Sequence, residues 1–251
     1  MSQTILITGG TGKFGRKFVE HFLEKNWQIL FTTTSKERGE NLIKDFSEPD
    51  NLHPIVSDLT SPAAVSELLE HLRMHGFCVN HLVNNARSLD LLRTNALGQT
   101  SREDFMAEYL LDVVVPYELS MALFNTQPEA LKTITNIGSQ YGVVAANPHL
   151  YDDYPKQSPI QYGVAKAALS HLTKELAVRM ASSEIRVNCI AYGGVEGRAD
   201  DAFKARYAKL TPSARMLKEE EVVGPLDFLL GASSSAVSGQ TLIADGGWSI
   251  W

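Results

Sequence analysis

Tyr162 and Lys166 are the two residues whose types and spacing point most directly to chemistry. They stand four residues apart in the segment QYGVAKAALSHLTKEL, and residues at that spacing share one face of a helix. A free phenol has a pKa near ~10, and a neighbouring cation favours its ionised form. Such a phenol can give or take a proton near neutral pH, which is general acid–base chemistry. The alternative is a surface tyrosine and a surface lysine on an amphipathic helix.

A glycine-rich turn near the N-terminus indicates a phosphate site. The first predicted strand leads into the sequence TGGTGKFG at residues 8–15, and a helical pattern follows at once. Gly9, Gly12 and Gly15 allow a tight turn, a close approach of backbone to phosphate, and close packing of the helix on the strand. Because the turn joins a first strand to a first helix, we favour a dinucleotide-binding turn over a plain glycine turn.

The end of the second predicted strand bears on the choice between NAD and NADP. An acidic residue at this place normally binds the ribose 2′-hydroxyl of NAD. Here the strand ends in hydroxyl side chains followed by a cation, Thr32-Thr33-Thr34-Ser35-Lys36. The candidate cations for a 2′-phosphate are Lys13, Lys36 and Arg38. We expect NADP(H), because cations stabilise the added charge; NAD(H) is the alternative if Lys36 and Arg38 only solvate the next helix.

These residues need a scaffold, and alternating apolar and helical patterns predict one. Short apolar runs indicate strands at 4–8, 27–33, 52–57, 81–85, 132–137, 185–190 and 240–244. Helical patterns lie at 14–25, 62–74, 102–124, 159–181 and 219–230. This alternation is typical of a parallel sheet covered by helices on both faces. The longest irregular segments are 86–100, 139–158 and 191–200, and each follows a predicted strand, where loops build the ligand crevice.

Composition and charge exclude several classes of function. The net charge of −6 gives no basic surface for nucleic acid or an anionic membrane. No apolar run approaches the ~20 residues that span a bilayer, and the first strand begins too early to leave room for a signal peptide. Cys78 and Cys189 lack metal or redox spacing. His71 and His75 have helical spacing but no third ligand. We therefore expect a cytoplasmic protein without a metal, a membrane or a nucleic-acid partner.

The motifs, taken in order, resemble those of the short-chain dehydrogenase/reductase family. They run through almost the whole chain as the turn at 8–15, Asp58-Leu59, Asn84-Asn85-Ala86, Ser139, Tyr162-x-x-x-Lys166, RVNCI at 186–190, Gly193-Gly194-Val195 and Asp245-Gly246-Gly247. Each motif is weak alone, but their ordered occurrence is specific. The resemblance implies an α/β protein with a Rossmann-like, doubly wound, seven-stranded parallel sheet. Because the sequence has no internal repeat, low-complexity run or linker, we expect residues 1–251 to form a single domain.

The same resemblance implies a role for individual residues. Tyr162 would exchange a proton with the substrate oxygen, Lys166 would lower the pKa of that phenol and bind the nicotinamide ribose, and Ser139 would hold the carbonyl oxygen. Asp58 and Leu59 would contact adenine. The implied cofactor-binding residues are Gly9, Thr11, Lys13, Phe14, Gly15, Thr34, Ser35, Asp58, Leu59, Asn85, Ala86, Tyr162, Lys166, Gly193 and Val195. The cofactor supplies the hydride chemistry, and the protein supplies position and electrostatics.

Several positions depart from the family pattern. The glycine turn has the spacing T-G-x-x-G-x-x-G, which resembles the extended branch, whereas the length resembles the standard branch. Arg87 and Tyr192 stand where the family usually has Gly and Pro. Arg87 lies near the substrate or a phosphate, or it is a solvated loop cation. Asp112 replaces an Asn four residues before Pro116. Its carboxylate either faces Lys166, where an anion favours the protonated phenol, or turns away.

The segment between Ser139 and Tyr162 is longer than the family pattern. The added stretch, roughly NPHLYDDYPKQSP, is polar and aromatic, and a long loop in a compact domain is usually functional. It is similar to an insertion in oxidoreductases linked to bacterial surface-sugar and flagellin-glycan pathways. Candidates for contacting a polar substrate are His149, Tyr151, Asp152, Asp153 and Tyr154. The alternative is a loop that covers a neighbouring subunit.

The leading hypothesis is an NAD(P)(H)-dependent oxidoreductase that interconverts a ketone and a secondary alcohol on a polar small molecule, with a sugar derivative as one candidate. A dehydratase or epimerase of the same family is an alternative, favoured by the glycine turn and disfavoured by the short chain. A catalytically inactive, cofactor-binding regulatory protein is another, raised by Asp112 and the altered loop at 192–197. The apolar C-terminal segment SGQTLIADGGWSIW and the resemblance predict a homodimer or homotetramer.

Overall fold

The centre of the protein is a seven-stranded sheet in which all neighbouring strands are parallel. The computed structural model describes residues 3–197 and 199–251. The strands are β1 (Thr4–Ile7), β2 (Gln28–Thr33), β3 (Leu52–Val56), β4 (His81–Asn84), β5 (Thr133–Ile137), β6 (Arg186–Tyr192) and β7 (Thr241–Ala244). Their order is β3-β2-β1-β4-β5-β6-β7. The strand order reverses between β1 and β4, which is where such sheets bind ligands. The predicted fold class is confirmed.

Helices cover both faces of the sheet. They are α1 (Lys13–Glu24), α2 (Lys36–Asp45), α3 (Ala64–Met74), α4 (Arg102–Tyr109), α5 (Val115–Thr126), α6 (Tyr154–Gln157), α7 (Ile160–Met180), α8 (Asp201–Leu210) and α9 (Val223–Leu230). Successive strand residues point to opposite faces, so in β1 Leu6 joins one core cluster while Ile5 and Ile7 join the other. The first cluster contains apolar residues of α3, α5 and α7, and the second contains those of α1 and α9.

One predicted helix, 102–124, is interrupted in the structure. A π-helical turn, Leu110–Val114, separates α4 from α5, and Pro116 lies in the first turn of α5. Proline has no N–H and clashes with the carbonyl of the residue four before it, which here is Asp112. The wider turn relieves that clash. It also leaves Asp112 almost completely buried beside α7 instead of on a regular helical surface.

Other local differences have simple causes. The sequence patterns did not predict α2, a polar helix with Gly39 in its interior, or α8. Both begin with a side-chain cap, since Ser35 accepts from the Arg38 N–H and Asp200 accepts from the Phe203 N–H. Strand β6 runs two residues past its predicted end, to Tyr192. In the part of the chain that the structure describes, no helix is long and apolar enough to cross a membrane.

Candidate active site

The glycine turn between β1 and α1 forms a tight backbone cradle. A Cβ atom on Gly15 would lie 2.3 Å from the Gly9 oxygen, so only glycine fits there. Gly12 is the N-cap residue of α1 and provides no side-chain cap for the first N–H groups of the helix. Uncapped N–H groups and the helix dipole favour an anion at this end. The turn therefore fits the pyrophosphate of a dinucleotide.

Thr8 and Asn85 fasten this turn to the end of β4. The hydroxyl of Thr8 accepts hydrogen bonds from the N–H groups of Asn85 and Ala86, each at 2.8 Å. The Asn85 amide donates in return to the Thr8 oxygen at 2.8 Å and to the Gly9 oxygen at 3.2 Å. The Asn85 side chain is thus engaged in positioning the cradle. Ala86 also contacts the turn closely, because a Cβ on Gly9 would lie 2.9 Å from its Cα.

Hydroxyl groups and one cation gather at the end of β2. The hydroxyls of Thr11 and Thr33 are 3.1 Å apart, which connects the glycine turn to β2. Arg38 donates to the Thr34 hydroxyl at 2.8 Å, and its guanidinium is exposed beside the Ser35 cap. Lys36 is also exposed and pairs with Glu40 at 3.8 Å. Arg38, Thr34 and Ser35 therefore provide a group of donors suited to a phosphate.

Lys13 lies away from this group. Its ammonium donates to the Val195 oxygen at 3.2 Å and pairs with Glu219 at 3.3 Å. It therefore ties α1 to the segment after β6. Of the three cations that the sequence offered for a 2′-phosphate, Lys13 and Lys36 each already pair with a carboxylate of the protein.

The remaining predicted cofactor residues lie along the same edge of the sheet and differ in the burial and the contacts of their side chains. The side chain of Leu59 is buried in the core, whereas Asp58 is exposed and accepts from the N–H of Thr60 at 3.0 Å. Phe14 packs against Tyr192, with ring centroids 5.3 Å apart. Gly193, the residue after β6, packs against Asp245. A Cβ on Gly193 would lie 2.7 Å from the Asp245 Cα.

Ser139 and Tyr162 are brought together by close packing of two backbones. Ser139 is buried at the start of a short 3-10 turn, Gln140–Gly142, where its hydroxyl accepts from the Tyr141 N–H at 3.2 Å. That turn packs against α7, because a Cβ on Gly142 would lie 2.7 Å from the backbone of Lys166. The rings of Tyr141 and Tyr162 meet edge to face at 6.5 Å. The turn after β5 and the first two turns of α7 therefore form one wall of the site.

Lys166 lies beneath Tyr162 and is almost fully buried. Its ammonium is 5.8 Å from the Tyr162 ring centre and donates to the Ile137 oxygen at 3.0 Å. Burial is the largest influence on Lys166 and opposes its charge, but Asp112 and Tyr162 together outweigh burial and raise the pKa of Lys166. The Lys166 Nζ and Asp112 Oδ2 atoms are 2.9 Å apart. Of the two orientations left open for Asp112, the structure has the one that faces Lys166.

Glu108 is a member of this site that the sequence patterns did not indicate. It lies on α4, one turn before Asp112, and only 1% of its surface is exposed. Neither of its carboxylate oxygens has a hydrogen-bond donor. Burial, and after it the charge of Asp112, raise the pKa of Glu108 to about 7. The spacing of Glu108 and Asp112 was visible, but a polar helix carries no local signal that this glutamate is buried.

Arg87 approaches the same tyrosine from the solvent side. Its guanidinium carbon lies 4.5 Å from the centre of the Tyr162 ring, a cation–π contact. Tyr162 therefore has one cation, Lys166, on the buried side and another, Arg87, on the exposed side. Arg87 keeps its donors available to a ligand, because a guanidinium that stacks on a ring can still donate at its edge.

The long segment before Tyr162 is ordered by contacts within the protein. The hydroxyls of Tyr141 and Tyr151 are 2.6 Å apart, and burial raises the pKa of both phenols. Arg206 of α8 donates to the Leu150 oxygen at 2.7 Å and to Asp152 at 3.1 Å. Most of the residues predicted to contact substrate in this segment thus bind other residues of the protein. Asp153, for example, forms an ion pair with Lys156. His149 is exposed.

The described residues contain no group of three or more His, Cys, Asp or Glu side chains that could hold a metal ion. His71 and His75 stack on each other with ring centroids 4.2 Å apart. The Nδ1 atom of His75 is 2.8 Å from the His71 carbonyl oxygen. This pair therefore has a local structural explanation at the end of α3.

The sequence of this chain is similar to a known protein family and to individual known proteins. A family model described as enoyl-(acyl carrier protein) reductase matches residues 13–249. The post-translational flagellin modification protein A of Campylobacter coli is 38% identical over 117 residues, which are 47% of this chain and 46% of that protein. The match thus spans about half of that relative. The 3-oxoacyl-(acyl-carrier-protein) reductase FabG of Chlamydia pneumoniae is 26% identical over 98% of this chain and 97% of its own length.

A solved structure gives the same result for the fold. The crystal structure of a short chain dehydrogenase from Leptospira borgpetersenii with bound NAD⁺ has a TM-score of 0.85 to this chain. It is 28% identical, and the alignment covers 99% of this chain and 93% of that one. The nearly complete coverage includes β1 to β7 and the helices between them.

Proposed function

From the membership of this chain in the short-chain dehydrogenase/reductase family, which the match over residues 13–249 shows, we propose a specific reaction for this oxidoreductase. It interconverts a ketone and a secondary alcohol on a polar small molecule, with NADP(H) as the cofactor. The observation that carries the proposal is that the turn beginning at Ser139 packs against α7, where the Lys166 ammonium lies 5.8 Å from the Tyr162 ring centre.

The protein side of the reaction follows from this arrangement. When bound, the reduced nicotinamide supplies a hydride to the carbonyl carbon. Tyr162 gives its phenolic proton to the carbonyl oxygen, and the Lys166 ammonium stabilises the phenolate that forms. Ser139 lies in the adjacent turn and orients the carbonyl oxygen by hydrogen bonding. In the direction of oxidation, the Tyr162 phenolate takes the proton of the alcohol.

The preference for NADP(H) rests on the end of β2. Arg38, Thr34 and Ser35 provide a guanidinium and two hydroxyls where a ribose 2′-phosphate would lie. No acidic residue ends this strand to bind a ribose hydroxyl, since Thr33 is followed by Thr34 and Ser35. A bound NAD⁺ in the Leptospira structure supports a nicotinamide dinucleotide in general.

The proposed substrate is a keto sugar derivative with an anionic group. Arg87 is an exposed cation 4.5 Å from the Tyr162 ring centre, so a carboxylate or phosphate on the substrate would meet it near the reacting oxygen. The relative in Campylobacter coli is described as a flagellin modification protein, which supports a glycan precursor. The FabG relative makes 3-oxoacyl thioesters the first competing substrates to exclude.

Two measurements test the proposal in sequence. The intrinsic fluorescence of the protein is measured as NADPH or NADH is added. If neither of the two cofactors binds, the cofactor assignment is contradicted. Turnover is then screened on anionic keto sugars, neutral keto sugars, simple ketones and 3-oxoacyl thioesters. Tyr162→Phe should abolish turnover with little change in NADPH affinity. Tyr141→Phe is the matched control, because its ring lies beside Tyr162 but its hydroxyl bonds Tyr151. Binding of NADPH without any turnover would favour the inactive regulatory alternative.

We also propose that the protein assembles with copies of itself. Ile243, Ile250 and Trp251 at the end of the chain are 45%, 71% and 76% exposed. Large exposed apolar side chains at one edge favour an interface. Sedimentation of the wild type and of a Trp251→Ser variant is the test, and a monomeric wild type contradicts the proposal.

A further inference from the structure

The site contains a buried carboxyl pair, Glu108 and Asp112, that the reaction proposed above does not yet use. The two residues are four apart across the junction of α4 and the π-helical turn. They are 1% and 2% exposed, so water does not stabilise two negative charges there. Two carboxylates that share a buried site cannot both ionise easily.

The hydrogen bonding of this pair is incomplete when both groups are ionised. Neither oxygen of Glu108 then has a donor, and a carboxylate alone can only accept. A proton on Glu108 resolves this, because the Glu108 carboxyl can donate to Asp112, and that contact is one of the causes that raise the pKa of Glu108. Asp112 Oδ2 meets the Lys166 ammonium at 2.9 Å as a close ion pair. One proton therefore joins Glu108 to Asp112 by a hydrogen bond and leaves Asp112 as the anion beside Lys166.

The charged groups that face the pair come from two parts of the chain. Lys166 faces it from α7, and Arg87 faces it from the segment after β4. Lys166 and Arg87 favour ionisation of Glu108, whereas burial and Asp112 oppose it more strongly. With Glu108 neutral, the buried ammonium of Lys166 is matched by the single charge of Asp112.

We propose that Glu108 and Asp112 hold one proton between them and that this pair is the proton reservoir of the Tyr162–Lys166 centre. The proposal rests on the acid–base role assigned to Tyr162 under the proposed function. Both carboxyl residues are positioning residues, since neither touches the substrate.

Reduction breaks the Tyr162 O–H bond and forms the O–H bond of the alcohol, leaving a phenolate. The Lys166 ammonium returns a proton to the phenolate, and the carboxyl pair passes its proton to the Lys166 amine. The pair changes from one negative charge to two, and solvent restores its proton. A cavity of about 10 Å³, about the minimum for one water molecule, borders Asp112, Lys166 and Thr8. Oxidation runs the same transfers in reverse.

The first test detects the shared proton without substrate or cofactor. Infrared difference spectra of the whole protein are recorded between about pH 5.5 and about pH 8.5, a range outside which ordinary carboxyls titrate. We expect a protonated-carboxyl band that disappears with a midpoint of about 7. Glu108→Gln should remove it, and Glu103→Gln, an exposed position on the same helix, should leave it. Absence of the band in the wild type, or its persistence in Glu108→Gln, overturns the proposal.

The second test measures the connection between the pair and Lys166. The ¹⁵N signal of the Lys166 side chain is identified by its loss in Lys166→Arg. In the wild type it should shift with the same midpoint as the infrared band, and in Glu108→Gln the shift should vanish. A signal that ignores the titration of the band overturns the reservoir role even if the proton is shared.

The third test uses any ketone that the substrate screen finds. Glu108→Gln should lower kcat about tenfold or more, within the range for loss of a proton-transfer partner, and remove the pH limb near neutrality. KM should stay the same. An unchanged kcat and pH profile overturns the reservoir role. If no substrate is found while the first two tests succeed, the proposed function fails and the shared proton stands.

Discussion

Lys166 is the residue on which the chemistry of this site depends, and its surroundings differ from the family pattern. A buried ammonium needs an anion or several hydrogen bonds, because burial opposes its charge. Here the Ile137 carbonyl and the Asp112 carboxylate provide both. Asp112 therefore keeps Lys166 charged, and the charge on Lys166 stabilises the Tyr162 phenolate. The Asp112 carboxylate stabilises the charged form of Lys166. Its negative charge also opposes the stabilising effect of Lys166 on the Tyr162 phenolate.

Removing Asp112 tests how strongly this pair is coupled. Asp112→Ala leaves the Lys166 ammonium buried without its anion, and loss of one partner of a buried ion pair costs about 3–5 kcal/mol. We expect a decrease of that size in the free energy of unfolding, measured with urea. Asp112→Asn keeps an oxygen acceptor and should lose less. Glu103→Ala, on the exposed side of α4, is the control. A loss below about 1 kcal/mol for Asp112→Ala, a value typical of surface pairs, would contradict the coupling.

Arg38 is the residue that should decide between the two cofactors. Arg38→Gln removes a charge-assisted hydrogen bond worth about 1.5–3 kcal/mol. NADPH affinity should therefore fall about ten- to a hundredfold, whereas NADH affinity should stay the same. Calorimetric titration of both cofactors measures the difference. Lys36→Gln is the matched control, because Lys36 pairs with Glu40. Equal losses for NADPH and NADH would place the 2′-phosphate elsewhere.

At the scale of elements, the strands and the glycine turn were predictable because their signals are local. An apolar run between turn residues specifies a buried parallel strand, and glycine at a place where a Cβ cannot fit specifies the turn. The break between α4 and α5 also has a local cause in the sequence, because Pro116 must displace the carbonyl of Asp112. The patterns missed it because apolar periodicity continues through the break. The burial of Glu108 depends on α7 and has no local signal.

The close approach of α1 to β1 gives a prediction about one element junction. Gly15→Ala would place a Cβ 2.3 Å from the Gly9 oxygen and 2.7 Å from the Gly10 Cα, both of them backbone atoms. The helix must shift, so we expect loss of NADPH binding and a lower melting temperature. Gly224→Ala is the control, because no atom lies within 4 Å of its new Cβ. In α9 that change should stabilise by roughly 0.5–1 kcal/mol. NADPH binding by Gly15→Ala at the wild-type affinity would show that the cradle does not hold the pyrophosphate.

At the scale of the whole molecule, two buried titratable groups act on stability in opposite directions. Burial lowers the pKa of His81, which stacks on Trp27, to about 3. The unfolded chain binds more protons there, so stability from His81 is present above its ordinary pKa of 6.5 and is lost as pH falls. Glu108 is the reverse case. Its pKa is raised, so its stability is present below the ordinary value of 4.5 and is lost as pH rises towards about 7.

The two effects oppose each other between pH 4.5 and pH 6.5, so the wild type should show a weaker pH dependence there than either group alone would give. Glu108→Gln removes one of them. The free energy of unfolding of Glu108→Gln minus that of the wild type should therefore rise between pH 4.5 and about pH 7. At about 1.4 kcal/mol per pKa unit, the total rise should reach roughly 3 kcal/mol.

Urea unfolding of both proteins at closely spaced pH values measures this difference. Any constant offset from the change in packing cancels, because only the change with pH matters. The same difference for Glu103→Gln should be flat, since Glu103 is exposed. A flat difference for Glu108→Gln would mean that Glu108 is already ionised in the folded protein. The carboxyl pair would then carry two negative charges beside the single positive charge of Lys166, and it would hold no proton to pass to α7.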